Sequence, residues 1–184
     1  MRVLILGLIV FIGIHLVPAM PAFRSTLVNK LGDNGYKGLF SVVSFLGLGL
    51  IVYGFSISPF QAVYSPPEWG RPITIVLMLI VFMLFPAANM PTNIKRFIRH
   101  PMMLGTLLWG VGHLLSNGAL ADIVLFGSLS AYAIFAMISA NARGAQTSTT
   151  VVPIKKDLVI VMIGIVVFSV VAYFHGFLFG APLF

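Results

Sequence analysis

Four histidines and no cysteine define most of the chemistry available to this 184-residue chain. His15, His113 and His175 fall within long apolar runs and His100 opens another, and an imidazole in such surroundings needs a hydrogen-bond partner or a ligand. An interhelical hydrogen bond explains any one of them. Two or more ring nitrogens turned toward one cavity would instead suit haem iron, zinc or copper. The four carboxylates, Asp33, Glu68, Asp122 and Asp157, all lie at expected helix ends or in loops, which argues against acid-base catalysis by a carboxylate pair. Without cysteine there are no disulfides, no thioether-linked haem, no cysteine-ligated iron-sulfur cluster and no thiol nucleophile.

His113 has the richest helical setting, because positions three and four apart share a face and gather Trp109, His113, Ser116 and Asn117 into one stripe. Trp109 would pack against a flat ligand, and Asn117 or Ser116 would orient the imidazole through its second nitrogen. Gly105 and Gly112 form a neighbouring stripe that admits either a packed helix or a macrocycle. His15 shares its face with Leu8, Phe11, Ile12 and Ala19, whose side chains offer no hydrogen bond, so its partner is expected from elsewhere. Pro18 lacks an amide hydrogen and leaves the Ile14 carbonyl without its usual helical bond. His175, near the outer end of the last run, reads as structural. In Arg99-His100-Pro101 a proline takes the first helical position, and free helix amides beside Arg99 and His100 would suit a propionate or a cofactor carboxylate.

The elements that must position these groups are membrane helices. Hydrophobic residues make up 59% of the chain and charged residues 8%, and the mean hydropathy is +1.07, far from soluble usage. Apolar runs cover residues 3–20, 36–57, 72–88, 100–115, 122–138 and 158–179, which predicts an all-α, polytopic bundle of six transmembrane helices in one domain, 1–184. The first run resembles a signal peptide, but Ala19 and Ala22 are poor cleavage sites and the segment is expected to stay. An amphipathic connector spans 22–35. Ser116-Asn117-Gly118 stops the fourth run close to Asp122, so the fourth and fifth helices should form a tight antiparallel hairpin. Nine of the eleven Lys and Arg residues fall in loops one, three and five, and only Arg2 and Arg71 lie elsewhere. By the positive-inside rule both termini face away from the cytoplasm. Because the cations sit between apolar runs and form no stripe on a polar surface, nucleic acid is not an expected partner, whereas the lipid bilayer is.

These motifs resemble the NnrU family of bacterial inner-membrane proteins, named for an association with nitrite and nitric oxide reduction. The resemblance rests on His15, Gly32 to Tyr36, the run SVVSFLGLGLIVYGF from Ser41 to Phe55, Leu77-Met78 and, most specifically, RHPMMLGTLLWGVGHLLSNG from Arg99 to Gly118. The family is similar to plant 15-cis-zeta-carotene isomerase, and that similarity implies a non-covalent haem b with His15 and His113 as iron ligands. Trp109 and Asn117 would then line the pocket, with Arg99 or His100 near a propionate. The implied activity is redox or isomerase-like, on a lipid-soluble substrate such as a carotenoid or quinone. The plant enzyme has a cysteine, implicated in a redox-dependent ligand exchange, at the position of Gly110, so that exchange does not carry over. At about 1.5 Å per residue His15 lies roughly 13 Å in from Arg24 and His113 roughly 21 Å in from Arg99, so one shared iron requires tilted helices. Arg99-His100-Pro101 also resembles membrane methyltransferases of the isoprenylcysteine carboxyl type, which use such a helix start for S-adenosylmethionine. A non-catalytic assembly factor or transporter is the third expectation.

Overall fold

The computed structural model describes residues 1–180 and Leu183. Its regular elements are helical: α1 (Arg2–Leu16), a 3-10 turn (Val17–Ala19), α2 (Pro21–Ser56), α3 (Gly70–Asn89), α4 (Ile94–Phe97), α5 (Pro101–Ser116), α6 (Leu120–Ala142) and α7 (Ile154–Phe179). Among the described residues five stretches are long and apolar enough to cross a bilayer, namely Arg2–Ala19, Pro21–Ser56, Gly70–Asn89, Leu120–Ala142 and Ile154–Phe179. The sequence led us to expect six. The difference is α5, whose 16 residues extend only about 24 Å against a hydrocarbon core of about 30 Å. Pro101 fixes its start and the Asn117-Gly118 turn its end, close to the expected boundaries.

Gly32 divides α2. Its φ of 72° and ψ of 166° are open to glycine and costly for other residues, and they separate an exposed segment, 21–31, from the long apolar helix 33–56. The first segment is the connector expected from the sequence, with Arg24 and Lys30 beside exposed Phe23 and Leu31. Such a helix suits the plane of a membrane interface.

The loops gather at two ends. At one end Arg143 reaches the Ala19 carbonyl, the Ser148 amide donates to the Lys95 carbonyl at 3.0 Å, and Asn93 exchanges hydrogen bonds with Val152. The Asp157 carboxylate accepts from Thr92 Oγ1 at 2.5 Å and from the backbone and side-chain amides of Asn93 at 2.8 and 2.6 Å. Loops one, three and five therefore share one end, and nine of the eleven Lys and Arg residues go with them. At the other end Val63 donates to the Gly118 carbonyl and Leu120 to that of Gln61, at 2.9 and 2.8 Å. The Tyr64 hydroxyl is shared between the Leu114 and Asn117 carbonyls, 2.8 Å from the latter. Burial and the Asp122 carboxylate raise the pKa of this hydroxyl above its ordinary value, so it stays protonated and keeps donating.

Side by side, the helices run α2, α1, α6, α5, α3, α7. Small residues set these neighbours. A side chain at Gly47 would meet the Phe11 amide at 2.8 Å, one at Gly7 would meet that of Ile51 at 2.6 Å, and Gly54 is pressed onto Leu4, so α1 and α2 close into an antiparallel hairpin. Leu4, Leu8 and Ile51 of that hairpin join Ala121, Leu125 and Phe126 of α6 in a buried cluster. The outer faces are apolar, with Phe45 74% and Phe177 88% exposed, as a lipid-facing surface requires.

Candidate functional site

His113 sits near the C-terminal end of α5. Its Nδ1 donates to the Trp109 carbonyl at 2.8 Å. A carbonyl only accepts, so Nδ1 carries a proton, and in the neutral ring the Nε2 lone pair is left open. Phe126 of α6 stacks on the ring at 4.5 Å, and Trp109 tilts against both rings. The orienting role expected of Asn117 or Ser116 therefore belongs to a backbone carbonyl. Asn117 instead donates to the His113 carbonyl at 2.9 Å. Ser116 donates to Thr74 Oγ1 at 2.7 Å, and Thr74 Oγ1 lies 2.5 Å from the Gly112 carbonyl, which fastens α3 to α5.

His113 faces a cavity of about 200 Å³ between α3, α5 and α7, which is also lined by Arg71, Thr74, Ser116, Asn117, Phe168 and His175. His175, read from sequence as structural, shares this space with His113. The packing of α7 reveals why. Buried Ile160, Gly164 against Met83 and Phe168 against Phe82 mark the stripe facing α3, and His175 lies seven residues beyond Phe168 on that stripe.

His15 repeats the bonding pattern of His113. Its Nδ1 donates to the Phe11 carbonyl at 2.7 Å, so its partner comes from its own helix and not from elsewhere, and here too Nε2 is the open nitrogen. Phe11 stacks on the ring at 4.2 Å, while Phe40 and Tyr132 approach edge-on. The Ile14 carbonyl is not orphaned by Pro18, because the Val17 amide bonds it and tightens the chain into the 3-10 turn.

The structure does not bring His15 and His113 together. One ring meets α6 at Tyr132 and the other at Phe126. Six residues along a helix correspond to about 9 Å of rise and to faces about 120° apart. The Gly105 and Gly112 stripe is also filled, since a side chain at Gly105 would meet Phe85 at 2.8 Å and one at Gly112 would meet Met78 at 2.9 Å. A helix, α3, takes the place that a macrocycle would need. Arg99 and His100 lie at the far end of α5, where both bond the Asn141 side-chain oxygen, at 2.7 and 2.8 Å, and hold the end of α6. Among the described residues no group of three or more His, Cys, Asp or Glu can hold a metal ion.

A helical bundle with apolar outer faces and polar loops at two ends is a multi-pass membrane protein. The family model described as NnrU protein matches residues 3–183, and the chain belongs to that family. No curated protein and no solved structure matches it.

Gly110 is pressed onto α6, where a side chain would run into Ser130 Oγ and come within 2.8 Å of the Phe126 carbonyl. The Ser130 hydroxyl is buried and has no hydrogen-bond partner among the described residues. Gly110→Ala is therefore expected to cost about 1–3 kcal/mol by overpacking, measured as unfolding in detergent. Ser130→Ala alone should be close to neutral and should recover part of the loss in the double variant. Independent, additive effects would show that the two positions do not touch.

Proposed function

We propose that this NnrU-family chain is a bacterial inner-membrane protein that crosses the bilayer six times, with both termini outside the cytoplasm, and presents His113 as a metal-binding imidazole. The six-crossing reading rests on the two ends of α5. Arg99 and His100 tie its start to the cation-rich end, and Tyr64 ties its finish to the opposite end. Packed between α3 and α6, a short helix need not match the full hydrocarbon thickness by itself. The cation-rich end is the cytoplasmic one by the positive-inside rule.

The metal-binding reading is carried by one observation, the Nδ1 bond of His113 to the Trp109 carbonyl. That bond fixes the ring orientation and the tautomer and leaves the Nε2 lone pair as the donor atom. The cavity before it has a second imidazole in its wall, His175, and about 200 Å³ of space. Organic ligands ordinarily need about 300 Å³ or more, so the space suits an ion or a ligand of few atoms.

The haem b implied by the resemblance fits in one respect only. The Nδ1-to-carbonyl bonds give His15 and His113 the tautomer of an iron ligand. Their positions on two faces of α6 do not fit a single iron between them, and Phe85 and Met78 fill the slot beside Gly105 and Gly112. The S-adenosylmethionine reading loses its residues as well, because Arg99 and His100 are spent on Asn141 and Asp157 on Thr92 and Asn93.

Metal analysis and absorption spectra of detergent-purified protein, from cells supplied with haem and transition metals, test the site. The expected result is a bound metal that is lost in His113→Ala and kept in His15→Ala, with both variants folded. Equal loss in the two would mean one shared iron. A folded wild-type protein with neither metal nor chromophore would contradict the reading and leave the assembly-factor or transporter function.

The topology has its own test, because a chain without cysteine allows single-site labelling with no background. Ser65→Cys should react with a membrane-impermeant maleimide in intact cells, and Phe97→Cys and Thr149→Cys only after permeabilisation. If Thr149→Cys labels from outside while Phe97→Cys does not, α5 does not cross.

A further inference from the structure

We infer that the open groove where α1 meets the Gly32 break in α2 is a binding site for the headgroup of an anionic phospholipid. The groove encloses about 550 Å³ and is lined by Pro18, Arg24, Tyr36, Lys37, Phe40 and Ser41. Two cations and no carboxylate face it, so its charge complements a phosphate. The Arg24 guanidinium lies over the Tyr36 ring, 5.5 Å from its centroid, which holds the charge over the groove floor. Tyr36 is itself buried, so the floor is fixed by packing. The Ser41 hydroxyl adds a donor at the wall.

The geometry distinguishes a lipid from a phosphate in solution. The groove lies at the end of the bundle that carries most of the cations, where the exposed segment 21–31 meets the apolar part of α2. Beyond Ser41 the exposed side chains of Phe45 and Leu48, four and seven residues further along the same side of α2, continue from the groove as an apolar strip along which acyl chains can lie. A soluble anion would use only the cations and leave that strip unused. The break at Gly32 turns the first segment away from the rest of α2, so the same glycine that shapes the interfacial helix opens the groove.

Native mass spectrometry of the full chain, released from micelles containing equal amounts of phosphatidylglycerol and phosphatidylcholine, tests the inference. Phosphatidylglycerol should be retained in preference, and Arg24→Gln with Lys37→Gln should reduce its retention by about tenfold, since each surface cation contributes several-fold to anionic lipid binding. Lys155→Gln with Lys156→Gln removes the same charge from the same end without touching the groove and should change retention less than about twofold. Ser41→Trp, which fills the groove and leaves every charge in place, should also release the lipid and covers the case in which the double variant does not fold. Equal losses in the two charge variants, equal retention of the two lipids, an unchanged Ser41→Trp or displacement of the lipid by millimolar inorganic phosphate would overturn it.

Discussion

Inside a bilayer no water competes for polar groups, so an imidazole, hydroxyl or amide placed among the helices is stabilised by finding a partner within the fold, and few here, such as the Ser130 hydroxyl, go without one. In this chain the nearest acceptors are often backbone carbonyls, whose second lone pair is used repeatedly. His15 and His113 each turn Nδ1 back to the carbonyl four residues earlier. Thr74 bonds carbonyls on two helices, and Tyr64 takes those at the end of α5. The consequence for chemistry is direct. A histidine that satisfies one nitrogen with its own helix needs nothing from its neighbours, and its second nitrogen is left for a ligand.

The second governing constraint is how closely helix backbones approach. Gly7, Gly47 and Gly54 bring α1 onto α2, Gly110 brings α5 onto α6, and Gly105, Gly112 and Gly164 bring α5 and α7 onto α3. With few polar contacts between helices, these small residues decide which faces meet. They leave His15 in a layer with α2 and α6, under Phe40 and Tyr132, and His113 in a layer with α3 and α7. The helix α6 touches both, His15 through Tyr132 and His113 through Phe126. Packing of glycine, and not the number of histidines, therefore determines which imidazoles can share a ligand.

Much of the fold was legible in the sequence because apolar runs and the placement of lysine and arginine respond to the bilayer and not to tertiary detail. The connector at 22–35, the turn after Ser116 and the gathering of the charged loops at one end all follow from that. Gly32 marked a break in the sequence, and the structure shows that it works through its backbone conformation. The site was legible in part. His113 and Trp109 were recognisable from helical spacing, but pairing His113 with His15 needed the depth and face of each helix, which periodicity does not supply. His175 read as structural from sequence because it lies near the end of a uniformly apolar helix, where only the packing of Gly164 and Phe168 reveals which side is inner. The carbonyl partners were not legible at all, since every residue has one.

The central claim is that the bonds to Trp109 and Phe11 hold both imidazoles with Nδ1 protonated and Nε2 open. Nitrogen-15 magnetic resonance of histidine-labelled protein in detergent or bilayers reads this directly, because protonated and bare ring nitrogens resonate far apart. For His15 and His113 the expected spectrum has a protonated Nδ1 in each ring, assigned by its loss in the alanine variants. A bare Nδ1 with the ring proton on Nε2, in either histidine, would contradict the account.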